Sequence, residues 1–465
     1  MIGDPVQQAA MPARSPLVEL FTCDTPDAAR LGGKGASLCR LQKSGYLVPP
    51  GFVITIDAFH RTCEALNLSA AVARVEHVLS GSGDLAGAGE EIIAGLQAGR
   101  LPADVLDPIH RTVDALGLWS NNRSGIIVRS SATVEDSAAH SFAGIFESIP
   151  ITAPGALEPT VRAVWESVFS PRALAYCREV GLAKIPAMAV VVQRFIAAER
   201  SGVMFTTFGG RTLVEHVEGD CEKLVKGEVT PEQLWLSGPR REAETSGSLA
   251  AVHVRELARL ADTLESRFGG PQDVEWVLYE GQIQVVQSRP ITTSAQIADG
   301  GGPAPAGIDE AIVVLTGTGA SGGWGTGAVH LAFNIEDALA VSSGQVLVTP
   351  MTNPDMVVAM RKSAAIVTDV GGMICHAAIV SRELGLPCVV GTAKATTTLL
   401  NGETVTVAGS AGIVYRGAFA NPSRTAKRPA SWTDIWARWA AASASRPGSD
   451  SRRRRGIRYR LSPRR

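Results

Sequence analysis

The run VTDVGGMICHAAIVSRELGLPCVVGT, Val367 to Thr392, decides how this chain is read. Two glycines, Gly371 and Gly372, precede His376. After it Ala378, Ile379, Glu383 and Leu384 recur at helical spacing, and Gly385 with Pro387 forms a stop signal. Cys388-Val389-Val390 then reads as a short strand. His376 is therefore expected where a glycine-rich loop enters a helix. Backbone N–H groups at a helix N-terminus favour nearby negative charge. An imidazole placed there can attack phosphorus and then carry the phosphoryl group. A lone histidine is more often an ordinary packed or surface residue, so the weight rests on its surroundings. The neighbouring Cys375 is expected to be a small packing residue rather than a nucleophile.

The pattern GG-x-x-C-H-A-A-I-V-x-R-E-L-G-x-P-x-V-V-G closely resembles the phosphohistidine signature of the phosphoenolpyruvate-utilising family, whose members include the pyruvate dikinases and the rifamycin phosphotransferases. Many members carry Thr two positions before the histidine, where this chain has Ile374. In the phosphate dikinases that Thr is a regulatory phosphorylation site, so the departure argues against that control and leaves catalysis untouched.

Outside this motif, composition narrows the function classes. A chain of 465 residues holds about two to four domains, and 45% apolar residues suit large cores. The formal net charge of −1 gives no global attraction to nucleic acid or to a membrane surface. Seven cysteines, none in a C-x-x-C pair, read as reduced thiols of a cytoplasmic protein. The start of the chain does not read as a signal peptide, and no apolar run is long enough to span a membrane.

Upstream, Arg30 to Leu41 reads RLGGKGASLCRL, with Gly32, Gly33 and Gly35 around Lys34 ahead of a helical pattern. Such a turn lets amides approach phosphate, and Lys adds a point charge. It is not a Walker A loop, and a structural glycine turn explains it as well. Val48 to Thr55, VPPGFVIT, is a turn into a strand. Residues 57–120 read as helical scaffold. In IIVRSSATVEDSAAHSFAGIFES, Ile126 to Ser148, a strand is expected to end at Arg129, followed by a polar loop from Ser130. An Arg there suits bidentate phosphate binding, although a surface Arg with a capping loop fits equally. In QDVEWVLYEGQIQVVQSRPIT, Gln272 to Thr292, two alternating strands flank a Glu-Gly turn, and Glu275, Gln287 and Arg289 project from paired strands. A carboxylate and an amide oxygen suit magnesium, although a half-buried hairpin with a surface salt bridge is the commoner reading of such residues.

GGKGASL with VPPGFVIT, VRSSAT-x-ED with SFAG, and QDVEW with QSRP together resemble the nucleotide-binding domain of the same family. The resemblance implies an α/β (α+β) protein: an ATP-grasp-like nucleotide-binding domain over 17–293, a Gly/Pro-rich flexible linker over 294–309, and a swivelling β/α phosphohistidine domain over 310–417. An Arg-rich tail, 418–465, is expected to be disordered. Sixteen linker residues reach about 20–25 Å as a flexible coil. Carried over by resemblance, Lys34, Arg129 and Arg289 contact ATP phosphates, the loop Ser141 to Gly144 covers them, Gln193 lines the adenine pocket with the Val203-to-Phe205 strand, and Glu275 and Gln287 hold magnesium (Mg2+). Asp273 is a supporting residue. The chain departs from the family after Phe205, where the usual FTADP continuation is missing, and at Cys221, where a second Gly is usual.

The activity implied is that of a dikinase. ATP phosphorylates His376, releasing AMP and phosphate, and the group passes to an acceptor such as pyruvate or another small molecule. The chain shows neither the pyruvate-binding barrel of full-length synthases nor the acceptor insert of the rifamycin enzymes. The acceptor site is therefore expected on a partner subunit or between the two domains. The competing reading is a non-catalytic nucleotide-binding regulator acting on a partner protein, and the joint retention of Lys34, Arg129, Glu275, Gln287, Arg289 and His376 argues against it. A conventional kinase making ADP, with His376 idle, is a third.

Overall fold

A computed structural model of the chain describes residues 15–419, apart from 82, 121–124, 134–144, 180, 220–228, 239, 245–246, 292–303, 306 and 309–310. Ser141, Gly144 and Cys221 therefore lie outside the described residues, as do most of the linker and nearly all of the tail. The protein is mixed α/β, and the described residues form three sheets.

The first sheet runs in the order β1 (Val18–Leu20), β2 (Gly51–Ile54), β5 (Met188–Arg194), β3 (Ile126–Ala132), β4 (Ser148–Ile151). Alternation sorts its side chains onto two faces. Phe52, Ile54, Ile126, Val128, Val190 and Val192 pack under the expected helical scaffold, including the helices Ile56–Ala65, Ser69–Ser80, Leu85–Ala98 and Ala103–Ala115. Val53, Ala189 and Val191 face the helix Ala28–Lys43 instead. That helix is broken at Gly32, whose φ of 69° is left-handed. A Cβ there would lie 1.8 Å from the Ser131 carbonyl oxygen, so only glycine allows this helix to lie so close to β3.

β3 is longer than the sequence suggested. Arg129 lies in mid-strand, paired with Val191 on one side and Ser148 on the other, rather than at the strand end. Ser130 and Ser131, read as the start of a polar loop, are strand residues and fully buried. Their hydroxyls have internal partners. Ser131 Oγ donates to Leu31 O at 2.8 Å and accepts from the Gly35 N–H, while Lys34 Nζ donates to Ser130 Oγ at 3.3 Å. Polar residues satisfied in this way read as loop in a sequence and pack as core in the fold.

The second sheet runs β11 (Gln282–Pro290), β10 (Gln272–Tyr279), β6 (Arg200–Phe208), β7 (Arg211–Glu218), β8 (Glu232–Ser237), β9 (Glu242–Ala243), all antiparallel. The β10–β11 hairpin turns on Glu280 and Gly281, both at positive φ, as a two-residue primed turn requires. Met204, Val214, Leu234, Val274 and Trp276 bury one face with the helix Ala251–Phe268. The opposite face carries Val203, Phe205 and Leu213, which share a core with residues of the third sheet.

The third sheet runs β12 (Val313–Thr316), β19 (Ile413–Arg416), β18 (Thr404–Ala408), β14 (Trp324–Leu331), β15 (Val346–Thr349), β16 (Ala365–Thr368), β17 (Cys388–Val390), β13 (Thr318–Ser321). Its centre, β14 to β17, is parallel. The connection from β16 to β17 is the stretch quoted at the outset. Its helix is His376–Leu384, closed by Gly385 in the left-handed conformation, as the stop signal predicted.

Candidate active site

The face of the second sheet opposite the helix Ala251–Phe268 orders the site. Because side chains on a strand alternate, residues in register on neighbouring strands form rows across one face. One row reads Gln287, Glu275, Val203, Glu215, Gln233 across β11, β10, β6, β7 and β8. The next reads Arg289, Asp273, Phe205, Leu213, Trp235.

At one end of the first row, three of the expected residues meet. Arg129 reaches over from β3, and its Nη2 donates to Glu275 Oε2 at 3.0 Å and to Gln287 Oε1 at 2.6 Å. Its Nη1 donates to the Val286 carbonyl at 2.8 Å. That carbonyl is available because the hairpin carries a bulge: Glu275 pairs with Gln287 but Trp276 pairs with Val285, so Val286 is the extra residue. The next row adds Arg289, whose Nε and Nη2 both bind Asp273 Oδ2, at 2.7 and 2.6 Å. Burial pushes the Asp273 carboxyl up, against the pull of Arg289.

The donor set fits a divalent cation. Glu275 and Gln287 aim one oxygen each at a single positively charged nitrogen, and two hard oxygens completed by phosphate and water are how magnesium is usually held. Among the described residues no group of three or more His, Cys, Asp or Glu gathers into a cage. Lys34 stands at the first sheet, on Ser130. Gln193 is not brought to this cluster through its amide. It is 1% exposed and its Nε2 donates to Pro49 O at 3.1 Å, bracing the turn before β2.

Towards the other end of the row lies the loop before His376. His376 is the first residue of its helix, with Cys375 as the cap. Its Nδ1 and Thr352 Oγ1 form a hydrogen bond of 2.8 Å. Burial pushes the imidazole down to about 4, so the ring is neutral at physiological pH. Burial also pushes the Cys375 thiol up to about 11, which keeps it protonated and fits a packing role.

Sequence reasoning missed four residues here: Thr352, Glu215, Gln233 and Arg382. Thr352 is 3% exposed in the turn after β15. Glu215 is wholly buried, and burial pushes its carboxyl up. It accepts from the N–H groups of Met373 at 2.6 Å and Ile374 at 3.0 Å, and from Gln233 Nε2 at 2.6 Å. Arg382 donates to the carbonyls of Met373 at 2.8 Å and Ala320 at 3.1 Å, with its guanidinium 5.3 Å from the Phe208 ring centre. An acidic residue set inside the apolar strand TLVEHV was the one available signal for Glu215.

Two family descriptions match the chain. "Pyruvate phosphate dikinase, AMP/ATP-binding domain" covers residues 28–248 and 239–303, and "PEP-utilising enzyme, mobile domain" covers 341–412. A probable phosphoenolpyruvate synthase of Archaeoglobus fulgidus is 35% identical over 438 residues, 86% of this chain and 58% of the relative. One from Methanothermobacter thermautotrophicus is 34% identical, over 84% of this chain and 62% of the relative. The phosphoenolpyruvate synthase of Pyrococcus furiosus is 32% identical, over 84% and 57%. The chain thus spans about three fifths of the length of these relatives. Among solved structures, D-alanyl-alanine synthetase A from Vibrio cholerae overlaps 39% of this chain and 46% of its own at 12% identity and a TM-score of 0.23, too low to carry an argument.

Proposed function

The chain belongs to the phosphoenolpyruvate-utilising dikinase family, and from that premise we propose that it is an ATP-dependent phosphotransferase in which His376 accepts phosphate from ATP and hands it on. The observation that carries this reading is the shared sheet face. One row carries both Glu275 and Gln287, which Arg129 binds, and Glu215, which binds the loop before His376; Glu275 and Glu215 stand two strands apart in it. Strands lie about 4.8 Å apart, which separates those two positions by roughly 10 Å of backbone.

The proposed roles follow from chemistry. Lys34, Arg129 and Arg289 neutralise phosphate oxygens, and in phosphoryl transfer such positioning and neutralisation are most of the catalysis. Glu275 and Gln287 would hold Mg2+, which when bound supplies further charge neutralisation at the phosphates. Neutral His376 is the nucleophile. If Nδ1–H donates to Thr352 Oγ1, the lone pair on Nε2 is free to attack. Attack on the β-phosphorus breaks its bond to the oxygen of AMP. Atom balance then leaves a diphosphoryl group on the ring, from which water takes the terminal phosphate. The acceptor is proposed to be a small molecule, and the relatives' name, phosphoenolpyruvate synthase, supports pyruvate. We propose that it is presented by a partner polypeptide, or between the nucleotide-binding region 17–293 and the carrier region 310–417. None of the described helices is long and apolar enough to cross a membrane. We propose that the protein works in the cytoplasm, on the reading of its scattered cysteines as reduced thiols.

The test is ATP labelled at the β- or the γ-phosphorus. Acid-labile β-label on the protein with AMP release, both absent from His376→Ala, is the expected result. ATP binding with neither label nor AMP, in the presence of candidate acceptors and partner subunits, would overturn it in favour of a nucleotide-binding regulator.

A further inference from the structure

Glu215 is a buried carboxylate whose partners lie on two different sheets' worth of chain. Gln233 is its cross-strand neighbour on β8, whereas Met373 and Ile374 belong to the loop that leads from β16 to His376. The carboxylate has three donors on its two oxygens. Ion–dipole hydrogen bonds of this kind are about twice as strong as neutral ones, and buried amides left without a partner are costly. The Met373 peptide is held from both sides, its N–H on Glu215 and its carbonyl on Arg382. Gly372 completes the contact. A Cβ on it would lie 2.4 Å from Glu215 Oε1 and 2.6 Å from Pro231 Cγ, so the loop seats only because that position has no side chain.

We infer that Glu215 is a docking latch: its carboxylate, primed by Gln233, captures the Met373 and Ile374 N–H groups and so positions His376 over the nucleotide-binding sheet. Its importance for transfer rests on the phosphotransferase reading above, but the contact itself does not. Glu215 is a positioning residue, since it touches the loop and not the reacting atoms. The latch is selective by chemistry. An ionised carboxylate offers enough acceptors for three donors, whereas an amide offers one oxygen and turns an NH2 group against an N–H. Release exchanges these bonds for water, which leaves the carrier loop free to travel without breaking any bond in the Arg129–Glu275–Gln287 cluster.

The experiment uses the full chain and three variants. Glu215→Ala removes the acceptors. Gly372→Ala leaves Glu215 intact and obstructs the seat from the other side, at a position whose backbone alanine tolerates. Glu215→Gln keeps the shape and part of the acceptance. Label from β-labelled ATP is followed on His376, ATP affinity is measured on the His376→Ala background, and hydrogen exchange is followed at the Met373 and Ile374 amides. For Glu215→Ala and Gly372→Ala we expect labelling slowed at least tenfold, ATP affinity within twofold of the parent, and exchange at both amides at least tenfold faster. Glu215→Gln should fall between. Unchanged exchange at those amides in Glu215→Ala would overturn the latch. So would an equal loss of ATP affinity, which would make Glu215 part of the nucleotide site. If the parent protein takes no label at all, the phosphotransferase reading fails while the exchange comparison still decides the latch.

Discussion

Thr352 and His376 lie 24 positions apart in the chain, yet Oγ1 of one and Nδ1 of the other meet at 2.8 Å. Parallel pairing of β15 with β16 creates this meeting, because it brings the turn after β15 beside the loop after β16. With Nδ1–H as the donor, the bond fixes the tautomer whose Nε2 lone pair is left for chemistry. Thr352→Val, which keeps the shape and loses the hydroxyl, should slow phosphorylation of His376 by about tenfold, the effect of losing one hydrogen bond of about 1–1.5 kcal/mol. ATP affinity should not change. A labelling rate equal to the parent's would remove Thr352 from the mechanism.

The His376 ring should titrate near pH 4, where burial has pushed it, rather than near the ordinary value of about 6.5. The depressed value means that the unfolded chain takes up a proton that the folded chain resists. The contribution of this group to stability is therefore constant above about pH 6.5 and declines as pH falls from there towards 4, by at most about 3.4 kcal/mol. The ring C–H resonance missing from His376→Ala identifies the group in an NMR titration. A midpoint above 6 would contradict the burial.

Glu275→Gln should leave the protein folded, because the side chain is 22% exposed and its neighbours are polar. It should raise the magnesium concentration needed for half-maximal labelling of His376 by at least tenfold, since a neutral amide replaces the carboxylate. Chelation of magnesium in the parent should abolish labelling and be reversed by adding the metal back. Labelling of Glu275→Gln with the parent's magnesium dependence would remove Glu275 from the cation site.

Gly32→Ala should destabilise the protein by about 3 kcal/mol, at the upper end of ordinary single substitutions. The added Cβ meets the Ser131 carbonyl oxygen at 1.8 Å, and the backbone sits at φ 69°, which disfavours any side chain. Denaturant unfolding measures the loss. Gly281→Ala, at φ 71° in an open turn with nothing within 4 Å, isolates the conformational part and should cost less.

Much of this protein was legible from short-range patterns. The glycine loop, the helix beginning at His376 and its stop at Gly385 are local signals, each set by φ preferences and periodicity within a few residues. The β10–β11 hairpin was equally plain, and with it the common face of Glu275, Gln287 and Arg289, because alternation along a strand is obligatory. Arg129 was legible as a residue type but misplaced at a strand end. The serines after it look like loop, and only the carbonyl, amide and lysine that satisfy them let them lie inside β3.

The meetings across the chain were not legible, since each is decided by register and packing between segments far apart in sequence. Nothing near Glu215 says that its partners will be the amides of Met373 and Ile374, more than 150 positions away, and nothing near Arg129 points to the bulged carbonyl of Val286. A carboxylate survives full burial only where donors from another element converge on it, and such convergence is a property of three sheets assembled together. Local sequence carried the chemical groups and the elements that bear them. The assembled fold decided which groups face one another, because hydrogen bonds and ion pairs act over a few ångströms of space and not along the chain.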